Sequence, residues 1–176
     1  IESFNKHEDF YQAMMVASIE RTGSGIYYVG TGSQHENLNV SGGGTVGFVG
    51  GGLFRSTNTE GTEWERLFGP DQLWNTNDDW LTVDAIVQDR DNPEKLWIAH
   101  SGGLDSYIHG NAELEPRGDN WPVGPCEDIK ISEDGSVILA SVNRRGYISD
   151  DGGQSFTAIT GTLANGGTNI IGAGGN

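Results

Sequence analysis

The chain has 176 residues, 28 of them glycine and 5 proline, and its formal net charge is −15. This acidity repels nucleic-acid phosphates and anionic lipid surfaces, and no apolar run approaches the roughly 20 residues of a membrane span, so we expect neither nucleic-acid binding nor membrane insertion. The single cysteine, Cys126, excludes an intrachain disulfide.

Residues 8–68 are predicted to form the first unit of a repeat of short strands. Apolar alternation in GIYYVGTGS and LFRS predicts strands, whereas DFYQAMMVASIER fits either a strand or a short amphipathic helix. We favour a strand there, because the following GIYYVGTG matches the second strand of the other units.

A long insertion, SQHENLNVSGGGTVGFVGG, separates the second and third predicted strands of this unit. Long loops on a rigid scaffold often carry binding function, so the insertion is a candidate recognition loop, with His35 and Asn37 as candidate ligand-binding residues. Its GGGTVG stretch fits G-x-G-x-x-G, but a dinucleotide site needs a strand before the glycines and a helix after them. Because a strand pattern follows instead, we interpret GGGTVG as a loop between strands.

Two further units and the start of another follow in chain order. Residues 79–117, beginning WLTVDAIVQ, form a degenerate second unit, and residues 124–160 form a third. A further unit begins at 168–176, TNIIGAGGN. Two polar turns that close on an aromatic residue begin at Ser56 and Ser149, an interval that fits two units of about 46 residues.

The third unit contains a turn, ISDDGGQSFTAI, whose residues suit a tight hairpin. An aspartate accepts hydrogen bonds from turn amides, a glycine adopts backbone conformations that side chains obstruct, and an inward aromatic anchors the hairpin on the core. The residues in these positions are Ser149, Asp151, Gly153, Ser155 and Phe156. A degenerate copy in the first unit consists of Ser56, Asn58, Gly61 and Trp64.

The order of residues 149–156 resembles the Asp-box, or bacterial neuraminidase repeat, with the pattern S-x-D-x-G-x-[ST]-[WF]. The stretches GIYYVGTGS, GGGLFRSTN and DNPEKLWIAHSGG also resemble the repeats of sortilin-type and xyloglucan-cleaving propellers. The resemblance implies an all-β fold of propeller blades, each of four antiparallel strands, in a secreted or cell-surface protein of seven to ten blades. It implies a structural role for the Asp-box residues.

Three units are fewer than a closed propeller typically has, which is four to eight blades. The chain also begins at Ile1 rather than a methionine. We therefore expect residues 1–176 to be one propeller segment of a larger protein. The alternative is a four-bladed ring of about 44 residues per blade, closed by the two ends of the chain.

The stretch LWNTNDDWLTVD raises a catalytic hypothesis. A glycoside hydrolase needs two carboxylates flanking a sugar cleft, and the candidates are Asp78, Asp79 and Asp84. Trp74 and Trp80 are candidate ligand-binding residues, since tryptophan rings stack on sugar faces. The competing interpretation, which we favour, is a solvated loop with both tryptophans packed between blades.

Metal and cofactor sites are not expected. His7, His35, His100 and His109 lack zinc-site spacing, and no cofactor motif is complete. Calcium is conceivable through Asp89 and Asp91, or through Asp150 and Asp151, although neither pair completes a calcium loop. A sialidase would need an arginine triad, whereas Arg144 and Arg145 are adjacent, so on a strand they point to opposite faces.

These observations favour a non-catalytic binding or scaffolding propeller, secreted or at the cell surface. Its partner is a protein or a glycan, or the remaining blades of the same protein. The alternative is a glycoside hydrolase acting on a polysaccharide, and a third possibility is a structural spacer in a large adhesin.

Overall fold

The computed structural model describes residues 15–40, 44–48, 50–69, 80–162 and 168–170, and the regular structure of these residues is entirely β. The strands are β1 (Val16–Arg21), β2 (Tyr27–Thr31), β3 (Ser33–Val40), β4 (Gly44–Phe48), β5 (Leu53–Ser56), β6 (Trp64–Phe68), β7 (Val83–Gln88), β8 (Lys95–His100), β9 (Gly103–Ile108), β10 (Cys126–Ile131), β11 (Ile138–Val142), β12 (Arg145–Ser149), β13 (Thr157–Ala158), β14 (Thr160–Thr162) and β15 (Thr168–Ile170). No helix in this part of the chain is long and apolar enough to cross a bilayer.

The strands form three successive antiparallel sheets in chain order. The first has the order β1-β2-β5-β6, the second β7-β8-β9, and the third β10-β11-β12-β13. The hairpin β3–β4 is inserted between β2 and β5, and the small hairpin β14–β15 follows the third sheet. Meandering sheets of three or four strands, stacked in chain order, are blades of a β-propeller. The predicted all-β propeller fold is therefore confirmed.

Two local ambiguities of the sequence are settled by strand pairing. Val16–Arg21 is a strand that pairs with β2 rather than part of a helix, while residues 1–14 lie outside the described part. The interpretation of GGGTVG as a loop is wrong for Gly44–Gly47, which belong to β4 and pair with β3. The β-branched residues Thr45 and Val46 favour this extended backbone.

The second sheet is buried on both faces, as its near-continuous apolar strand β8 requires. Leu96 and Ile98 pack in the cluster shared with the first sheet, and Trp97 and Ala99 pack in the cluster shared with the third. This follows from the two-residue period of a strand, which sends successive side chains to opposite faces. The central sheet is thus covered on either side by its neighbours.

The innermost strands of the first two sheets run in the same direction. The Ile86 amide donates to the Ser18 hydroxyl (2.9 Å) and, two residues on, the Gln88 amide donates to Glu20 (3.4 Å). The connection between the first two strands therefore lies at the same end of the stack in each sheet, and the next connection lies at the opposite end. We call the end with the inserted hairpin β3–β4 the hairpin end, and the opposite end, with the connections β1–β2, β5–β6, β7–β8, β10–β11 and β12–β13, the turn end.

The junction between the second and third sheets is built around Trp97. Its indole N–H donates to Asp89 (2.8 Å), and its ring lies against Gly153 of the third sheet, where a Cβ would come within 2.0 Å of the ring. Phe156 meets it edge to face at 6.4 Å between ring centroids. A fully buried tryptophan thus occupies the space that a glycine leaves free.

The same junction buries Cys126, the first residue of β10. Burial raises the pKa of its thiol above the ordinary range. The thiol group therefore stays protonated at neutral pH.

The two outer faces of the stack carry exposed apolar side chains. Val16 and Ile19 of the first sheet are 53% and 61% exposed, and Leu139 of the third sheet is 43% exposed. Leu139 lies directly across from Ile148 in the neighbouring strand, so the apolar surface spans two strands. Faces of this kind suit further sheets packed against them.

The Trp97–Gly153 contact predicts a large difference between two adjacent glycines. Gly153→Ala should destabilise the protein by roughly 2–4 kcal/mol, because overpacking adds to the cost of a left-handed backbone. Gly152→Ala should cost only about 1 kcal/mol, because the site has positive φ (73°) but no atom within 4 Å of the added Cβ. Urea unfolding of both variants measures the difference, and equal losses would contradict this packing.

Candidate functional site

The hairpin end brings together the connections between inner strands of all three sheets. It contains the inserted hairpin β3–β4, the residues Trp80–Thr82 that lead into β7, the β8–β9 turn at Ser101–Gly102, and the β11–β12 turn at Asn143–Arg144. Its backbone comes from three different sheets. Separate parts of the chain therefore present a joint surface at this end.

Asp84 fixes the start of the inserted hairpin; we call the start, at Gln34, and the end, at Gly50 and Gly51, the two feet of the hairpin. Its Oδ1 accepts from the Gln34 amide (2.7 Å), and its Oδ2 accepts from the Gln34 side-chain amide and from the Thr82 hydroxyl, both at 2.8 Å. The Gln34 side chain also donates to the Cys126 carbonyl (3.2 Å) of the third sheet. Gln34 therefore joins the inserted hairpin to the second and third sheets at once.

The other foot of the hairpin is held by backbone contacts. The Gly50 amide donates to the Leu81 carbonyl (2.7 Å), and the Gly51 amide donates to the buried Thr31 hydroxyl (2.9 Å). Thr31 in turn donates to the Gly52 carbonyl (2.8 Å). Both feet of the insertion are therefore tied to the scaffold.

A network around the buried Asp105 supports the β8–β9 turn. Asp105 accepts from His100 Nε2 (2.8 Å) and from Arg117 through Nε (2.6 Å) and Nη2 (2.9 Å). The Gly102 amide donates to His100 Nδ1, which assigns the proton of the neutral ring to Nε2. Burial alone would raise the pKa of Asp105, but the hydrogen bonds from Arg117 and His100 outweigh it and hold the pKa below its usual value.

Trp80, a candidate ligand-binding residue, lies in an aromatic stack. Its ring is parallel to the buried His100 ring, with 3.9 Å between centroids and a 5° interplanar angle, and it stacks on Phe68 at 4.9 Å. Phe68 belongs to the first sheet and His100 to the second. Trp80 thus packs between two blades, while Trp74 and the rest of its stretch before residue 80 lie outside the described residues.

The β11–β12 turn has an unusual backbone. Asn143 and Arg144 both have positive φ, 51° and 63°, and both are exposed. Two consecutive left-handed residues define a type I′ turn, for which Asn-Gly is the common sequence, so an arginine in the second position is strained. Arg144 therefore precedes β12 rather than lying on it, and the strand-alternation argument applied to Arg144 and Arg145 is wrong.

The turn end contains the aspartate turn of the third sheet. Asp151 accepts from the Ser155 hydroxyl (2.6 Å) and amide (3.0 Å) and from the Ser149 hydroxyl (2.8 Å). The Gly153 amide donates to Ser149, and Gly153 has a φ of 83°. Phe156 is buried beside Trp97 and Trp121. Ser149, Asp151, Gly153 and Ser155 are therefore bonded to one another within the turn, and Phe156 anchors the turn on the core.

The turn of the first sheet has related bonds despite its extra residue. Asn58 accepts from the Thr62 amide (3.0 Å), as Asp151 accepts from the amide four residues on. Gly61 has a φ of 65°, and its carbonyl accepts from the indole of the buried Trp64 (2.9 Å). The Ser56 hydroxyl accepts from the Tyr27 amide (2.9 Å).

The carboxylates considered for calcium lie in the turns. Both oxygens of Asp89 accept hydrogen bonds, Oδ1 from the Asp91 and Asn92 amides and Oδ2 from Trp97. Asp91 and Asp150 are exposed. Among the described residues, no group of three or more His, Cys, Asp or Glu side chains has a metal-binding arrangement. His109 bonds through Nδ1 to the Tyr28 hydroxyl (2.7 Å).

Several candidate residues fall outside the described part of the structure. Trp74, Asp78, Asp79 and His7 lie there, as do the side chains of His35 and Asn37. Sequence reasoning also missed Gln34, Thr82 and the network of His100, Asp105 and Arg117. The available signal was a histidine and an aspartate in an otherwise apolar pair of strands, since buried polar groups require partners.

The comparisons with known proteins concern the fold. No protein-family model and no curated protein matches this chain. Two solved structures, extracellular domains of B. thetaiotaomicron proteins described as hybrid two-component systems, superpose with TM-scores of 0.54 and 0.52 at 18% and 17% identity. They cover 82% and 81% of this chain, which spans 16% and 18% of theirs. At these identities the likeness shows a shared fold.

The Asp84 contacts predict the effect of removing its charge. Asp84→Asn should lower the free energy of unfolding by about 1–3 kcal/mol, because its new amide group faces donors. The Gln34 amide should exchange its hydrogen faster. Asp128→Asn is the matched control, since Asp128 pairs with the exposed Lys130 and the change should cost less than about 1 kcal/mol. An unchanged rate of hydrogen exchange at the Gln34 amide in Asp84→Asn would contradict the conclusion that Asp84 holds the start of the hairpin.

The Asp151 turn predicts a dependence of stability on pH. Hydrogen bonds from Ser155 and Ser149 lower the pKa of Asp151 from 3.8 to about 2. A lowered folded-state pKa adds stability that is present above about pH 4 and is lost as the pH falls towards 2. Denaturant unfolding between pH 5 and 2 should therefore show a shallower acid loss in Asp151→Asn than in the wild type. An equally steep acid loss in Asp151→Asn and the wild type would contradict this role of Asp151.

Proposed function

We propose that this chain is part of a non-catalytic binding propeller whose hairpin end receives a protein partner. The single observation that carries the proposal is the fixing of the inserted hairpin at both feet, by Asp84 and by Leu81. An insertion that served only to link β2 and β5 would need no such ties. A pre-organised loop loses less conformational entropy when it binds.

The Asn143–Arg144 turn supports the same end as the contact surface. Glycine would relieve the left-handed backbone at Arg144, and strained backbone positions cluster at functional sites. The side chain at this position is instead an exposed cation in a chain of net charge −15. An acidic partner surface would complement Arg144 and the adjacent Arg145.

The glycoside hydrolase alternative receives no support from the described residues. Both oxygens of Asp84 accept hydrogen bonds from within the protein, and Trp80 is stacked between Phe68 and His100. A general acid or nucleophile must instead reach the substrate. We therefore propose that Asp84 positions the hairpin and performs no chemistry.

The blades are proposed to belong to a larger propeller of the Asp-box type in an extracellular protein. The exposed Val16, Ile19 and Leu139 on the outer faces support further blades, and the bonds of Asp151 support the Asp-box resemblance. The similar solved structures are extracellular domains, which supports the same location for this chain.

The test compares partner binding by three proteins. The immobilised wild type, a variant with residues 35–48 replaced by Gly-Gly, and Arg144→Gly are each exposed to the extracellular fraction of the source organism. A partner retained by the wild type is then purified, and its affinity for each protein is measured. Shortening the hairpin should abolish binding, and Arg144→Gly should weaken it while leaving stability unchanged or higher, because glycine relieves the strained backbone.

Two outcomes would overturn the proposal. One is a partner that binds the shortened variant as tightly as the wild type. The other is hydrolysis of a polysaccharide by the wild type that Asp84→Asn abolishes. Lys130→Gln, a charge change on the outer face of the third sheet, controls for the loss of positive charge in Arg144→Gly.

A further inference from the structure

A cleft of about 350 Å³ lies between the second and third sheets, beside the aspartate turn. This volume is within the usual range of small-ligand pockets, about 300–1,000 Å³. Its walls are the segment that returns from the second sheet and the tip of the 150–156 turn. The residues that line it are Lys95, Ser106, Glu115, Pro116, Gly118, Trp121, Gly152, Gly153 and Gln154.

Ser106 lines this cleft and is only 2% exposed. Among the described residues its hydroxyl has no hydrogen-bond partner, and no fully buried side-chain oxygen or nitrogen lacks one. The hydroxyl of Ser106 is therefore not fully enclosed, and it can offer one donor and one acceptor to a molecule in the cleft.

The walls add an aromatic surface and two opposite charges. Trp121 is half-buried, and its indole N–H donates to the Gly153 carbonyl (2.8 Å), which fixes the ring. The Lys95 ammonium lies 4.3 Å from the centre of the Trp97 ring, with no carboxylate in ion-pair distance among the described residues. Glu115 accepts one hydrogen bond there, from Asn111 (3.1 Å). One cation and one carboxylate leave the lining without net charge.

We propose that the cleft binds a neutral sugar. Trp121 offers a ring for the apolar C–H face of a pyranose, while Ser106, Glu115, Lys95 and Gln154 provide donors and acceptors for its hydroxyl groups. The open space beside Gly152, where a Cβ would meet no atom within 4 Å, provides access. This site is separate from the hairpin end and does not depend on the proposed function.

The test is a titration of the isotope-labelled chain followed by nuclear magnetic resonance. The probes are the methyl glycosides of glucose, galactose, mannose and N-acetylglucosamine, added one at a time. We expect at least one of them to shift the Trp121 indole N–H and the Gly152 and Gly153 amides saturably. Ser106→Ala and Lys95→Gln should each weaken that sugar about 3–10-fold, the loss of one net hydrogen bond.

Two controls separate the site from the rest of the molecule. Lys130→Gln and the variant with residues 35–48 replaced should both bind the sugar as the wild type does, and retention of the sugar by the latter separates this site from the proposed partner surface. The proposal is overturned if no glycoside shifts these resonances saturably. It is also overturned if Ser106→Ala and Lys95→Gln both bind with wild-type affinity.

Discussion

The second and third sheets meet where a large side chain of one packs into the space left by a missing side chain of the other. Trp97 and Gly153 form this contact, and the packing of the third blade on the second depends on it. The tryptophan is oriented by Asp89 below it, and Phe156 and Trp121 close around the glycine. The conformation of the 150–156 turn in the third blade therefore determines how that blade packs on the second. The same residues that form the turn also join the two blades.

Both ends of the stack combine local bonds with bonds between sheets. At the turn end, Asp151 bonds residues two and four positions away, while Ser24 of the first sheet's turn donates to Glu94 of the second sheet's turn (2.9 Å). At the hairpin end, Gln34 and Asp84 are fifty residues apart, so their bonds form only when two blades are in place. The position of the inserted hairpin therefore depends on the packing of the first two sheets.

The sequence was most informative where the chain interacts with itself locally. Strand alternation in GIYYVGTGS and the polar turn around Asp151 predicted the blades and their hairpins, because both depend on near neighbours. The bonds of Gln34 could not be predicted, since glutamine in a polar insertion has no local partner that reveals its role. The pairing of Gly44–Phe48 with β3 was missed for another reason. Glycine has a low strand propensity, and composition does not reveal the pairing register of two strands within an insertion. The cleft beside Trp121 is built from segments of two blades, so only their packing discloses it.

The buried Cys126 can report the separation of the third blade from the second. It is the single cysteine of the chain and lies where β10 meets the second sheet. A thiol that is protonated and covered does not react with alkylating reagents, so labelling proceeds only through states in which β10 has separated. The labelling rate, set against that of an unfolded peptide, therefore measures the free energy of separating two adjacent blades.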